Sequence, residues 1–452
     1  MQRNNIYNGN FYAKKLWTIL FLTLLTNGYV CSQTYKTETL RQGIRSLRVR
    51  YVKETQSPTR PYLVLTNGCV DGTEPTNTME ISFDCMTHDL KQYSYTVYHL
   101  GYDYKRSDLQ SLEYIQGFTT ADVTNYTYSN LTAEDYIHYR LTFPNEDMHL
   151  LKSGNYVLHV YEDGNPDNGI ADICFQVVEP KVNISAVVRS NTDIEFNGRY
   201  QQLDMDIDTR HLDYNNIDEL TVIIQQNNRT DNQVVNPHIN YVEAKRLRYK
   251  NNAELIFEGG NEYRHFDIYS PYYAGYNVDR IRYGEGEYHA FLESDDNRGV
   301  TANTDRTGAP YVFEPDMNGK WIVNRENSDY ADTDAEYMNV HWRLPISVPF
   351  FDGNVYVGGD LFHNRLTADN RMIYDNTQHC YYLIAPLKQG AYEYQYWFLR
   401  KGEKQATLLN LEGSHWQTEN EYTVLIYYRP LGGRYDQLVG LQRFSSSSSS
   451  SM

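Results

Sequence analysis

Apolar and polar residues alternate with a period of two along most of this chain. Tyr93-Ser-Tyr-Thr-Val-Tyr98, Tyr156-Val-Leu-His-Val-Tyr161, Tyr392-Glu-Tyr-Gln-Tyr-Trp397 and Tyr422-Thr-Val-Leu-Ile-Tyr427 show the pattern most clearly. Short runs of this kind, rich in aromatic and β-branched side chains and bounded by Gly, Asn, Asp or Pro, predict β-strands. Long helical periodicity is absent after residue 25. The chain is therefore expected to be all-β, built of tandem antiparallel β-sandwich domains. An N-terminal sandwich is expected over residues 33–180, closing where Pro180 interrupts a strand pattern. A middle β domain over 181–335 carries Asn- and Asp-rich turns and fades into a polar stretch between Glu293 and Asp334. A C-terminal sandwich covers 336–444, and the Ser-rich tail, 445–452, has nothing to bury and is expected to be disordered.

The first 32 residues read as a signal peptide. Lys14 and Lys15 precede the apolar run Leu16 to Leu25, and Val30-Cys31-Ser32 puts Val at −3 and a small Ser at −1 for cleavage after Ser32. The run is too short to cross a bilayer core of about 30 Å. Lipidation at Cys31 is the competing reading, and Tyr29 and Val30 are large for a lipobox. No later segment has the length of a transmembrane helix. The expectation is a protein secreted through a cleaved signal, with no direct membrane insertion.

Charge narrows the partners. The formal net charge is −17, and cleavage removes three cations (Arg3, Lys14, Lys15) and no acid, so the mature chain is more acidic still. Such a surface repels phosphate backbones and anionic lipid, so nucleic acid is not an expected partner. The 43 tyrosines against 16 phenylalanines and 5 tryptophans suit half-buried strand faces, and also adhesive surfaces.

Candidate chemistry is sparse. Asp163, Asn165 and Asp167 occupy the first, third and fifth places of a calcium-type loop, with Asp172 beyond. The seventh place is Gly169 and the twelfth is Cys174, where a bidentate Glu belongs, so a hairpin turn accounts for the same residues. Cys69 and Cys85 could bridge if their strands are neighbours, and spacing leaves this open. The histidines are scattered, with His363 and His379 lacking a third ligand, and the acidic pair Asp332 and Asp334 lies in a polar loop. No hydrolase elbow, P-loop, dinucleotide fingerprint or zinc motif is present, so neither catalytic residues nor a cofactor are expected.

Several stretches, in order along the chain, resemble the Bacteroidetes type IX secretion system plug protein family. They include Met79-Glu-Ile-Ser-Phe-Asp84, Glu113-Tyr-Ile-Gln-Gly-Phe118, His138-Tyr-Arg-Leu-Thr-Phe-Pro-Asn-Glu-Asp147 and Val177-Val-Glu-Pro-Lys-Val-Asn-Ile-Ser185. Further on, Gly259-Gly-Asn-Glu-Tyr-Arg-His-Phe-Asp267, Leu387-Lys-Gln-Gly-Ala-Tyr-Glu-Tyr394 and Gly413-Ser-His-Trp-Gln-Thr-Glu-Asn-Glu-Tyr422 are similar too. The resemblance implies a non-enzymatic periplasmic subunit, monomeric apart from its complex. It implies docking on the outer-membrane translocon barrel, sealing the barrel's periplasmic opening when idle. It carries over no catalytic or contact residue. The third block, through Asn354-Val-Tyr-Val-Gly-Gly-Asp-Leu-Phe362 and Leu387-Lys-Gln-Gly390, is similar to early-set, immunoglobulin-like sandwiches that include glycogen-binding modules. A carbohydrate-binding secreted protein is accordingly the alternative, although His363-Asn364 stands where a sugar-stacking Trp would.

Overall fold

The structure, a computed structural model, describes residues 33–52, 61–299 and 310–447. The signal-peptide expectation and most of the Ser tail lie outside these residues. The regular structure of the described chain is almost all strand, with two four-residue α-helical turns, Ser111–Tyr114 and Ala331–Asp334, and a few three-residue 3-10 turns. The four alternating tyrosine-rich runs all lie within strands: Tyr93–Leu100, Gly154–Glu162, Gly390–Arg400 and Glu421–Tyr428.

Three sheet pairs form three cores. In the first, a six-stranded sheet is centred on Tyr93–Leu100, Gly154–Glu162 and Gly169–Val178. It faces a four-stranded sheet running Ile44–Tyr51, Met79–Cys85, Ile137–Phe143, Asn125–Tyr128. Phe83, Tyr139, Phe143, Tyr156 and Phe175 fill the space between them. Phe83 stacks on Tyr139 at 5.3 Å and Tyr156 on Phe175 at 5.5 Å. Each such ring taken from water contributes about 1.5–3 kcal/mol.

The second core breaks the linear order expected from the sequence. Its five-stranded sheet is local, built on Asn183–Arg189 and Tyr200–Asp208. Its other sheet pairs Leu220–Gln226 with Glu421–Tyr428, which in turn pairs with Gln437–Ser445. The last two strands of the chain thus complete the second sandwich rather than the third. Tyr422, Val424 and Ile426 pack with Leu203, Ile207 and Leu247 in one core.

The third sandwich is consequently an insertion between strands of the second. One sheet joins Arg264–Asp267, Gly390–Arg400, Trp321–Val323 and Gly353–Gly358. The other runs Val278–Gly284, Glu287–Leu292, Tyr337–Pro345, Cys380–Lys388, Ile373–Asp375. Within it Glu287–Leu292 lies parallel to Tyr337–Pro345. Parallel neighbours need a long crossover, and the polar stretch from Glu293 to Asp334 is that crossover. The division expected at 335/336 therefore falls inside a sheet. Periodicity identifies strands but not partners, and these partners are some two hundred residues apart.

Candidate functional site

Alternation gives each strand a core face and an outward face. In Met79–Cys85, Ile81, Phe83 and Cys85 enter the first core, so Glu80, Ser82 and Asp84 point away from it. Glu80 pairs with Arg50 of its own sheet, whereas Asp84 is covered by the third sandwich. Asp84 and Lys388 are almost completely buried, and Lys388 Nζ lies 2.6 Å from Asp84 Oδ2. The Tyr337 hydroxyl donates to the same oxygen at 2.7 Å, and His138 Nδ1 lies 2.6 Å from Asp84 Oδ1. Lys388 also donates to the Asp332 carbonyl at 2.6 Å and sits 4.2 Å from the Tyr136 ring centroid. The Asp332 carboxylate receives Arg48 at 2.6 Å and Arg140 at 3.1 Å.

The charges in this junction are set by both burial and pairing. Burial alone would raise the Asp84 carboxyl, but Lys388 and His138 bring it below its ordinary value. Burial likewise opposes ionisation of Asp332, and Arg48 and His138 overcome it, so this carboxyl is also held low. Burial pushes the Lys388 ammonium down, and Asp84 and Asp332 partly restore it. Buried ions cost several kcal/mol each to desolvate; here every one has an opposite charge or a hydrogen bond facing it.

Outward strand residues are buried elsewhere too. In Gly390–Arg400, Tyr392, Tyr394, Tyr396 and Phe398 enter the third core, and Glu393, Gln395 and Trp397 face outward yet are buried. Arg229 of the second sandwich lies 4.3 Å from the Trp397 ring and donates to the Ala406 carbonyl at 2.8 Å. Glu393 accepts backbone N–H groups of Met317 at 2.6 Å and Gly319 at 2.9 Å. Burial, reinforced by Asp316, pushes its carboxyl up to about 8. Arg264 is wedged between Glu412, at 2.9 Å, and Asp295, at 2.8 Å. Between the first and second sandwiches, Val178, Ile223, Leu425 and Leu438 form a small apolar contact. There the Tyr427 hydroxyl donates to Asn155 Oδ1 at 2.8 Å.

Each sandwich therefore touches the other two. Along the outside of the first–third junction runs a groove of ≈ 930 Å³. One wall comes from Glu38 to Leu47, and the other includes Arg371, Ile373, Tyr382 and Ile384.

The residues singled out from the sequence do not converge on a site. Asp163, with φ 57°, lies in the turn between Gly154–Glu162 and Gly169–Val178. Asn165 Oδ1 accepts the Asp167 backbone N–H at 3.1 Å, and Asp172 is buried 2.6 Å from His159 Nδ1. Among the described residues no cluster of three His, Cys, Asp or Glu side chains is placed to hold a metal. Cys69 and Cys85 do not bridge each other. Asp332 is not a loop carboxylate but the acceptor of two arginines. Trp342 and Trp397 are fully buried, so neither offers a sugar-stacking face. The sequence reading missed Asp84, His138, Tyr337, Lys388, Glu393 and Arg264 as a connected set. The available signal was a charged residue at an outward strand position inside the stretches that carry the family resemblance.

Comparison with known proteins follows this architecture. A family model described as type 9 secretion system plug protein 1st domain matches residues 44–179, which is the first sandwich without its opening strand. A solved structure of a hypothetical protein from Parabacteroides merdae ATCC 43184 is 33% identical, with a TM-score of 0.84, covering 91% of this chain and 100% of that one. The chain belongs to the type 9 secretion system plug protein family. A biofilm associated protein's BSP domain aligns over 92% of this chain and 61% of that one at 7% identity and a TM-score of 0.18, too low to carry an argument. No curated protein matches. Membership in the plug family gives this protein a role related to type IX secretion and a place in the cell envelope. No helix among the described residues is long and apolar enough to cross a membrane.

Proposed function

We propose that this plug-family protein is a periplasmic gating subunit. It docks on the outer-membrane translocon barrel of the type IX system and closes the periplasmic opening while no cargo passes. The observation that supports this reading is the closed triangle of sandwiches. An inserted third domain and three buried junctions leave no single linker about which the body can bend, and a stopper works by resisting deformation. Domains joined end to end by exposed linkers would be expected to move relative to one another. The action is steric, so it needs binding energy and shape rather than a reacting group.

The test is affinity purification of the tagged, full-length protein from detergent-solubilised envelopes, with mass spectrometry of what co-purifies. A large outer-membrane barrel at stoichiometric yield is the expected result. Retention on polysaccharide with no barrel present would replace this reading with the carbohydrate-binding one.

A further inference from the structure

The five-stranded sheet of the third sandwich has one face in the core and one turned outward, which the first sandwich covers at the end carrying Tyr337 and Lys388. The inward rows are apolar, with Ile281, Ala290, Val340 and Ala385 aligned across four strands. The outward rows are different. Arg280, Phe291, His341 and Ile384 form one, and Arg282, His289, Asn339 and Pro386 the next. Arg343, Tyr382 and Ile373 form the third. Ile373 is 57% exposed, Ile384 50% and Tyr382 37%, so the apolar part of this face is contiguous and open. Those three side chains also form a wall of the groove beside the first sandwich, where Arg371 joins them.

The charge on this face opposes that of the molecule. Arg282, Arg343 and Arg371 are exposed, and among the described residues none has a carboxylate within ion-pairing distance. Arg280 is taken by Asp279 and lies 4.4 Å from the Phe291 ring centroid. Glu287, on the same sheet, accepts a hydrogen bond from Asn339 at 2.6 Å. Burial, with His289 and Arg280 nearby, lowers His341 to about 4, so its ring is neutral and stacks on Phe291 at 4.2 Å. A protein of net charge −17 thus gathers three unpaired arginines around exposed aromatic and aliphatic side chains.

We infer that this face, with the adjoining groove, is a docking surface for an acidic segment of a partner protein that also carries aliphatic or aromatic side chains. Arginines give such a segment paired hydrogen bonds to its carboxylates. The Ile373–Tyr382–Ile384 patch takes its apolar side chains, and apolar patches rimmed by charge are where proteins dock. A second copy of this chain is a poorer occupant. A twofold contact through this face would set arginine against arginine, and an unsymmetrical one would not close. The inference stands without the gating role proposed above.

The experiment places a photo-crosslinking amino acid at Ile384 in the full-length protein in cells, with a matched control at Leu431, an exposed turn residue of the second sandwich. The expected result is an adduct at Ile384 and not at Leu431, on a peptide rich in Asp and Glu. Its yield should fall about tenfold in the Arg282→Glu, Arg343→Glu, Arg371→Glu variant and decline with added salt. Thermal denaturation of that variant checks its fold; if it is destabilised, Arg343→Glu alone should lower the yield about threefold. No adduct, an adduct on a second copy of this chain, an adduct on polysaccharide, or one indifferent to charge reversal would each overturn the inference. Barrel co-purification is scored separately. A barrel that binds without an Ile384 adduct leaves the gating role standing and removes this face. An acidic adduct on another protein, with no barrel bound, does the reverse.

Discussion

At the scale of single residues, the junction chemistry makes Lys388 the side chain whose loss should be felt most. Lys388→Met removes the charge and keeps the volume, leaving Asp84 buried with only His138 and Tyr337 as partners. Removing one partner of a buried ion pair costs about 3–5 kcal/mol, and denaturant unfolding should show a loss of that size. Asp84 and Asp332 are both held below their ordinary values. Depressed carboxyls contribute stability above about pH 4, and that stability is lost as pH falls through their folded-state values. Acid titration of the melting temperature should therefore show a steep fall below about pH 4, blunted in Asp332→Asn. Glu393 behaves in the opposite sense. Its carboxyl, ordinarily near 4.5, is raised to about 8, so the folded state holds a proton that the unfolded chain releases. Its contribution declines as pH rises across that window. Glu393→Gln keeps an acceptor for Met317 or Gly319 and should gain stability over wild type from pH 5 to pH 8, read as a widening difference in melting temperature.

Secondary-structure elements carry a second lesson. The strand Gly390–Arg400 is buried on both faces, one in its own core and one against the second sandwich. Its sequence alternates as though one face met water, because Glu393 and Gln395 are polar. What covers them is a neighbour whose own backbone supplies the hydrogen bonds: Gln395 Nε2 donates to the Asn261 carbonyl at 2.6 Å. Tyrosine suits these strands for the same reason. Apart from Trp342 and Trp397, the largest fully buried side chains are all tyrosines. Their rings fill a core and their hydroxyls reach across a junction, as Tyr427 does to Asn155. Where two backbones meet with no side chain between them, glycine is required. A Cβ on Gly259 would lie 2.1 Å from the His415 carbonyl oxygen. Gly259→Ala should force the 401–420 connection away from the second sandwich, lowering the melting temperature and raising protease cleavage within that connection.

For the whole molecule, cooperativity is the measurable consequence. The third sandwich interrupts the second, and both are tied to the first by buried polar contacts, so unfolding one exposes the junction faces of the others. Calorimetry should give a single transition with matching calorimetric and van't Hoff enthalpies. In Lys388→Met, the first sandwich should separate as an earlier transition, while the second and third, joined by two chain crossings, continue to melt together.

How much of this was legible before the structure depends on the range of the interaction involved. Period-two alternation is a local property of pleated backbone, and it located the tyrosine-rich strands and the all-β class. The ordered motifs likewise pointed to the plug family. The hairpin around Asp163 was readable for the same reason, since turn chemistry is a matter of neighbouring residues. Strand partnership is not local. That Glu421–Tyr428 closes on Leu220–Gln226 and leaves the third sandwich as an insertion is decided by which faces can bury each other once all are formed. The fate of outward strand residues is decided there too. Nothing in the local sequence sets Asp84, Glu393 and Lys388 apart from Arg282, Arg343 and Arg371. Only the packing of three bodies put the first group in low dielectric with charges to face, and left the second group on an open face with none.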